Sequence, residues 1–343
     1  MSKTSIAGAI GFAHQSGKDS VGSSPLYMPA TSINMNMNQN AQTLPAEIGG
    51  DYFLRGSYKS SVMGGGDVSF VARPNSLGHI LLMLTGIDTV TNPTTGVYLH
   101  TFTPFTPGSG LDLPWYTVLK DEATLYAEQY LNTRLGSLKI DVPKSSIMTG
   151  QASFTGTTPS TITSASLGTK TFDTAPQFQT CLASVAFTPE GSGSNISSNA
   201  VKVERFSFSY NNNLTSDEFS VGNYYLEDIT LLQRTVNVDM DFVLRDPVLY
   251  EAVYLNGGSI PGAWSPSIYR GSLTVTMTSG FNIPTTSTPY SCVFTFPGLD
   301  FLMMPFPMSG ADLVRGTLST QVTLGPSGSD RFSVALTNGV ASY

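Results

Sequence analysis

Segments from the first half of the chain recur in the second half at an almost constant spacing. "INMNMNQN" at Ile33–Asn40 returns in pattern as "FSFSYNNN" at Phe206–Asn213, a shift of 206 − 33 = 173. "GDYFL" from Gly50 returns as "GNYYL" from Gly222, and "VSFVAR" with Phe70 returns as "MDFVLR" with Phe242, both shifted by 172. "LTG" ending at Gly86 returns as "LNG" ending at Gly257, a shift of 171. A looser fifth match sets Leu135–Val142 beside Arg315–Val322. Ordered matches at one offset in a chain of 343 residues predict a single unit written twice, with domains over 1–165 and 166–343.

The first match also shows what the unit is made of. Successive side chains of a strand point to opposite faces, so Ile33, Met35 and Met37 share one side while Asn34, Asn36 and Asn38 share the other. Phe206, Phe208 and Tyr210 oppose Ser207, Ser209 and Asn211 in the same way. Val236, Val238, Met240 and Phe242 oppose Asn237, Asp239 and Asp241. Only 12% of residues are charged, and Gly, Ser, Thr, Asn and Pro abound, so a mainly β protein is expected. One helix is predicted per unit. In the first, it starts near Asn75 or Ser76, shows Leu77, Ile80, Leu81 and Leu84 on one face, and stops at Gly86. In the second, Asp246 is the N-cap, Pro247 takes the first helical position, Leu249, Ala252 and Val253 form the apolar face, and Gly257 is the stop. The Ser/Thr-rich segment Thr157–Gln177 reads as the joint between units.

Several functions are disfavoured by composition. The net charge is −7 and Lys and Arg nowhere cluster, so tight nucleic-acid binding is not expected. Cys181 and Cys292 are expected as two buried thiols in a reducing compartment. The N-terminus lacks the form of a secretory signal and reads as an arm over 1–30 or a first strand. The apolar run His79–Ile87 is too short to span a membrane, and the sequons at Asn195 and Asn213 read as chance.

The histidines and glycines carry no catalytic pattern. His14, His79 and His100 have no metal-site spacing, and no G-x-S-x-G occurs. Gly11 and Gly17 are separated by five residues where a phosphate loop needs four, and Asp19 stands where a hydroxyl is required. Asp239 and Asp241 read as a solvated strand face, since the matching strand of the first unit lacks the pair. No catalytic, cofactor or metal site is expected.

A strand pair that is apolar on one side and polar but mostly uncharged on the other suits a wall between a packed core and water. Tandem units leave sticky sheet edges, and joining copies around an axis removes them. The closed object is a ring, and stacked rings make a tube. Asn34, Asn36, Asn38, Ser207, Ser209, Asn211, Asp239 and Asp241 are the candidates to face its lumen.

The ordered set "IAGAIGFAHQSGKDSVGSSPLYMPATSINMN", "GGGDVSFVARPNSLGHILLMLTG", "YLHTFTP…LPWYTVLKDE" and "LGSLKIDVP…GQASFTG" resembles the tail tube proteins of long-tailed, siphovirus-type bacteriophages. The resemblance covers about Ile6–Gly156 directly and reaches the second half through the repeat, which has no clear equivalent of "HTFTP…LP". It implies two tandem β-sandwich or barrel domains, each with one flanking helix, whose inner sheets join between subunits into a lumen wall. Single-domain members form hexameric rings, so a duplicated chain is expected to form trimers. The excursions Gln39–Gly66 and Asn211–Thr235, with the arm Met1–Ala30, are expected to reach the adjacent ring. Implied partners are further copies of the chain, the tape measure, terminator and distal tail proteins, and DNA only in transit. Alternatives are another virion component on this fold, namely a terminator, a hub or a contractile-tail inner tube. A carbohydrate-binding β-sandwich using Trp115 and Trp264 is a further one.

Overall fold

The computed structural model describes residues 5–51, 53, 55–122, 125–190, 201–255, 260, 262–307, 313–325, 328 and 331–343. The expected features at Tyr52, Leu54, Asn195 and Gly257 lie outside them.

The first half carries β1 (Ala9–His14), β2 (Leu26–Met28), β3 (Ala30–Thr43), β4 (Ser57–Val71), helix α1 (Pro74–Thr85), β5 (Gly86–Thr94), β6 (Val97–Pro104), β7 (Tyr116–Asp121), β8 (Ala127–Pro143) and β9 (Thr149–Ile162). The second carries β10 (Ser184–Pro189), β11 (Val201–Asn211), β12 (Thr235–Leu244), helix α2 (Val248–Leu255), β13 (Arg270–Asn282), β14 (Pro289–Met303), β15 (Arg315–Thr323) and β16 (Ser333–Asn338). The fold is mainly β, as the composition requires, and its strands form one large antiparallel sheet with branches.

The two alternating hairpins pair in matching register. Ile33 faces Val68 as Phe206 faces Met240, and Asn38 faces Met63 as Asn211 faces Thr235, shifts of 173 on the first strand and 172 on the second. The next strand matches too. Asp67 faces Ser153 as Asp239 faces Ser319, and Phe70 faces Gly150 as Phe242 faces Gly316, a shift of 166 on the third strand. A bulge recurs beyond it: Leu135 and Ser137 oppose Phe154 and Ser153, and Phe301 and Met303 oppose Thr320 and Ser319. By pairing, the counterpart of β15 is therefore β9, a correction to the match with Leu135–Val142. Neighbouring strands of one half-buried sheet share the same alternation, so alternation alone does not tell β8 from β9.

Apolar sides of these strands fill the core. Met35, Phe70, Ile140, Phe154, Phe206, Phe208, Val238, Phe242 and Leu318 are buried in one cluster together with Leu77, Ile80, Leu81 and Leu84 of α1. α1 ends at Gly86, whose φ of 90° is left-handed and whose N–H bonds Leu82 O. Its N-terminus takes a remote cap: Asp173 Oδ2 accepts the Ser76 N–H at 2.7 Å. At α2, Asp246 Oδ1 accepts the Val248 N–H at 2.7 Å, the expected cap.

The halves interlock. β8 pairs with β11, and β16 pairs with β6. After β9 the chain packs back on the first half, with Phe178 N–H bonding Ala72 O at 3.4 Å. One expectation changes here, at Cys181, and two segments acquire packing within the chain. Ala9–His14 is a strand between β2 and β7, as the first-strand reading has it, so this part of the expected arm is built into the sheet. The excursion 212–234 folds over the first half: Asn212 Nδ2 donates to Leu135 O at 2.9 Å and Arg134 Nη1 to Ile229 O at 2.6 Å. Arg134 and Asn212 are buried, and satisfying them requires this packing. Cys181 is exposed in the short turn Thr180–Leu182, while Cys292 is buried as expected.

Candidate functional site

The polar sides of β3, β4, β9, β8, β11, β12, β15 and β14 form one continuous hydrated face. Following the ladders from strand to strand gives a row Ser32, Ser69, Gln151, Lys139, Ser209, Asn237, Gln321, Asp300. A second row runs Asn34, Asp67, Ser153, Ser137, Asn211, Thr235. A third runs Thr149, Asp141, Ser207, Asp239, Ser319. Each row is polar along its whole length because every strand keeps the same period of two.

The sequence-predicted residues all lie on this face. Asn34, Asn36, Asn38, Asn211 and Asp239 are exposed, and Ser209 and Asp241 are half-buried. Ser207 is only 7% exposed, since it sits between Asp141 and Asp239. The β11–β12 ladder brings Ser207, Ser209 and Asn211 together with Asp239 and Asp241, while the β3 asparagines stand at the far edge of the sheet. Sequence reasoning missed Asp67, Ser69, Lys139, Asp141, Gln151, Ser319 and Gln321. "LKIDV" and "GQASFT" carry the alternation that marks them, but only the pairing puts them beside the others.

Two arginines at the face, Arg205 and Arg315, are held by carboxylates of the same chain, while Lys139 of the first row is exposed. Arg205 Nε lies 2.7 Å from Asp141 Oδ1 and its Nη1 lies 3.8 Å from Asp241 Oδ2. The hydrogen bond to Asp141 pushes the Arg205 pKa further up. Glu204 accepts Lys144 Nζ at 2.7 Å and Arg315 Nε at 3.2 Å, and its carboxyl pKa is lowered, chiefly by the Lys144 hydrogen bond. With these arginines engaged, the face presents amides, hydroxyls, carboxylates and the ammonium of Lys139 to whatever lies before it.

Elsewhere the side chains read as packing. His79 is largely covered in α1 by Tyr116 and Tyr343, and desolvation lowers its pKa to about 4, with His14 a smaller cause. His100 is buried between Asp88 Oδ2 at 2.8 Å and Val340 O at 2.7 Å. Trp115 lies under the Arg134 guanidinium, 3.7 Å from its ring centroid, and so is engaged within the chain. Trp264 packs at a tilt against Tyr254, 4.8 Å between ring centroids, and remains 71% exposed. Among the described residues no three His, Cys, Asp or Glu side chains gather as a metal site, and no helix is long and apolar enough to cross a membrane.

An extended antiparallel sheet with a packed apolar back and a continuous hydrated front defines a structural, wall-forming protein. The chain belongs to the phage tail tube protein family, whose family model matches residues 10–323. No curated protein matches it. It is accordingly a structural component of the bacteriophage virion that assembles into the tail tube with other tail proteins.

Proposed function

We propose that three copies of this chain close into a ring of six pseudo-equivalent units, that stacked rings form the tube of a siphovirus-type tail, and that the polar face lines its lumen. The repeat in pairing register supports the duplication: β3, β4, β9 and β8 take the same positions as β11, β12, β15 and β14. The observation that carries the lumen assignment is the face itself. It is polar along eight neighbouring strands, its Arg205 is held by Asp141, and Lys139 stands among hydroxyls and amides, so passing phosphates meet sparse positive charge. A wall of this kind serves as a conduit and performs no catalysis; terminator, tape measure and distal tail proteins would meet it at its ends.

Electron microscopy of the purified protein tests this. Hollow filaments or rings of three chains with pseudo-sixfold averages are expected. A persistent compact monomer, or rings containing six whole chains, would overturn the trimer.

A further inference from the structure

The two halves of one chain meet in a ladder that pairs β8 with β11, and we infer that a ladder in the same register joins one chain to the next. In it, Asn34–Asn38 of β3 would pair with Met303–Pro307 of a second copy. This rests on the ring reading above. The shift of 173 carries β11 onto β3, and the shift of 166 carries β8 onto the end of β14. Ser209 facing Lys139 then becomes Asn36 facing Pro305, Phe208 facing Ile140 becomes Met35 facing Phe306, and Asn211 facing Ser137 becomes Asn38 facing Met303.

The prolines decide in favour of this register. In the in-chain ladder, Asn212 N–H bonds Gly136 O at 2.8 Å and Lys144 N–H bonds Glu204 O at 2.9 Å. Even-numbered residues of β8 therefore turn their backbone groups toward β11, and odd-numbered ones turn them away. Under an even shift, Met304 and Phe306 present N–H and C=O to the incoming strand. Pro305 and Pro307 face away, where a missing N–H costs nothing. A register slipped by one residue would put both prolines in the seam.

The edges themselves suit the docking. Among the described residues β3 pairs only with β4, and β14 ends at Met303 with Leu302 and Met303 57% and 59% exposed. Met35 O is held by Lys120 Nζ at 2.7 Å and Met304 O by the Tyr254 hydroxyl at 2.8 Å, each leaving one lone pair for a ladder bond. Beside Phe306 a groove of about 650 Å3 lies open between Phe242, Pro307 and Gly316. The faces agree as well: Asn36 and Pro305 fall on the hydrated front, Met35 and Phe306 on the packed back. Where the in-chain seam carries Arg205 against Asp141, the mapped positions are Ser32 and Pro307, so the seam between chains holds no ion pair there and is expected to withstand salt.

Disulfide trapping tests the register. In a Cys181→Ser background, Asn36→Cys with Pro305→Cys places two thiols on directly opposed positions, about 4.5 Å apart at Cα, within reach of a disulfide. Oxidised assemblies are expected to give covalent dimers and trimers on a non-reducing gel, collapsed by reductant. Asn38→Cys with Pro307→Cys, four positions out of register, is expected to give none. If the double variant misfolds, mixing the two single variants keeps the test alive and should trap dimers only. Rings or tubes visible by microscopy without these cross-links, or with the out-of-register ones, would sink the ladder while leaving the ring standing. Absence of any assembly by the unmodified chain would sink both.

Discussion

The Phe70 ring closes over Gly150 on the neighbouring strand, so that a Cβ on that glycine would sit 2.5 Å from Phe70 Cζ. The same arrangement recurs at the matching place: a Cβ on Gly316 would sit 3.1 Å from Phe242 Cζ and 2.8 Å from Phe306 Cε1. A glycine on one strand gives the aromatic of the next a bed of backbone to lie on, which shields the backbone and fixes the register.

Gly150→Ala is therefore expected to destabilise the chain by about 1–3 kcal/mol, because Phe70 is fully buried and has little room to turn. Gly316→Ala should cost less, since Phe306 is only partly buried and can yield. Urea midpoints at unchanged m-value check the order. Phe70→Leu should recover part of the Gly150→Ala loss, and simple additivity in that double-mutant cycle would show that the ring contact is not the cause.

A second close approach holds the C-terminus. A Cβ on Gly78 of α1 would fall 1.9 Å from Tyr343 Cζ, and the Tyr343 ring packs against His79, His100 and Phe102. Its hydroxyl meets Asn338, whose amide also donates to Pro74 O at 2.9 Å. Gly78→Ala is expected to expel the ring, and Tyr343→Ala to cost about 3 kcal/mol. In a chain already lacking the ring, Gly78→Ala should become nearly neutral or stabilising, since alanine is the better helix former. Thermal unfolding of the three variants decides it.

Acid should loosen the same region. Burial lowers the His79 pKa from 6.5 to about 4, so the unfolded chain binds this proton more readily than the folded one. The stability this group contributes is whole above about pH 6.5 and is lost as pH falls from there toward 4, by roughly 3 kcal/mol. His79→Leu should flatten that part of the stability curve. An unchanged acid limb in the variant would assign the loss to other groups.

Much of this fold is legible in the sequence because a strand's period of two is a local property. Asn34 to Asn38 and Ser207 to Asn211 declare their faces without knowledge of any partner. What the sequence hides is which strand lies beside which. Ser207 reads as hydrated until Asp141 and Asp239 close around it from two sides. β15 takes the place of β9 although its residues also align with β8. Asp173 illustrates the same limit at longer range: its carboxylate caps α1 from 97 residues away, a distance no local capping pattern spans.

That cap is worth a test of its own. Asp173 accepts the Ser76 N–H at 2.7 Å and the Ala175 N–H at 2.8 Å, tying the inter-half segment to the helix start. Asp173→Ala is expected to cost about 1–2 kcal/mol, and Asp173→Asn less, since the amide oxygen still accepts. Equal losses from both would mean that charge at the helix N-terminus, and not the hydrogen bond, is what counts.

The last prediction concerns the polar face. Asp239 is exposed between Ser207 and Ser319, so Asp239→Lys should leave folding within about 0.5 kcal/mol of the parent chain and leave tubes intact. If the face borders the passing genome, each ring would gain cations that hold phosphates, and DNA delivery should slow several-fold, with the parent rate recovered as salt rises. Lysine on the tube's outside would leave delivery untouched at every ionic strength. Delivery kinetics measured across salt, on particles whose tubes are normal by microscopy, therefore separate a lumen-facing sheet from one turned to bulk solvent.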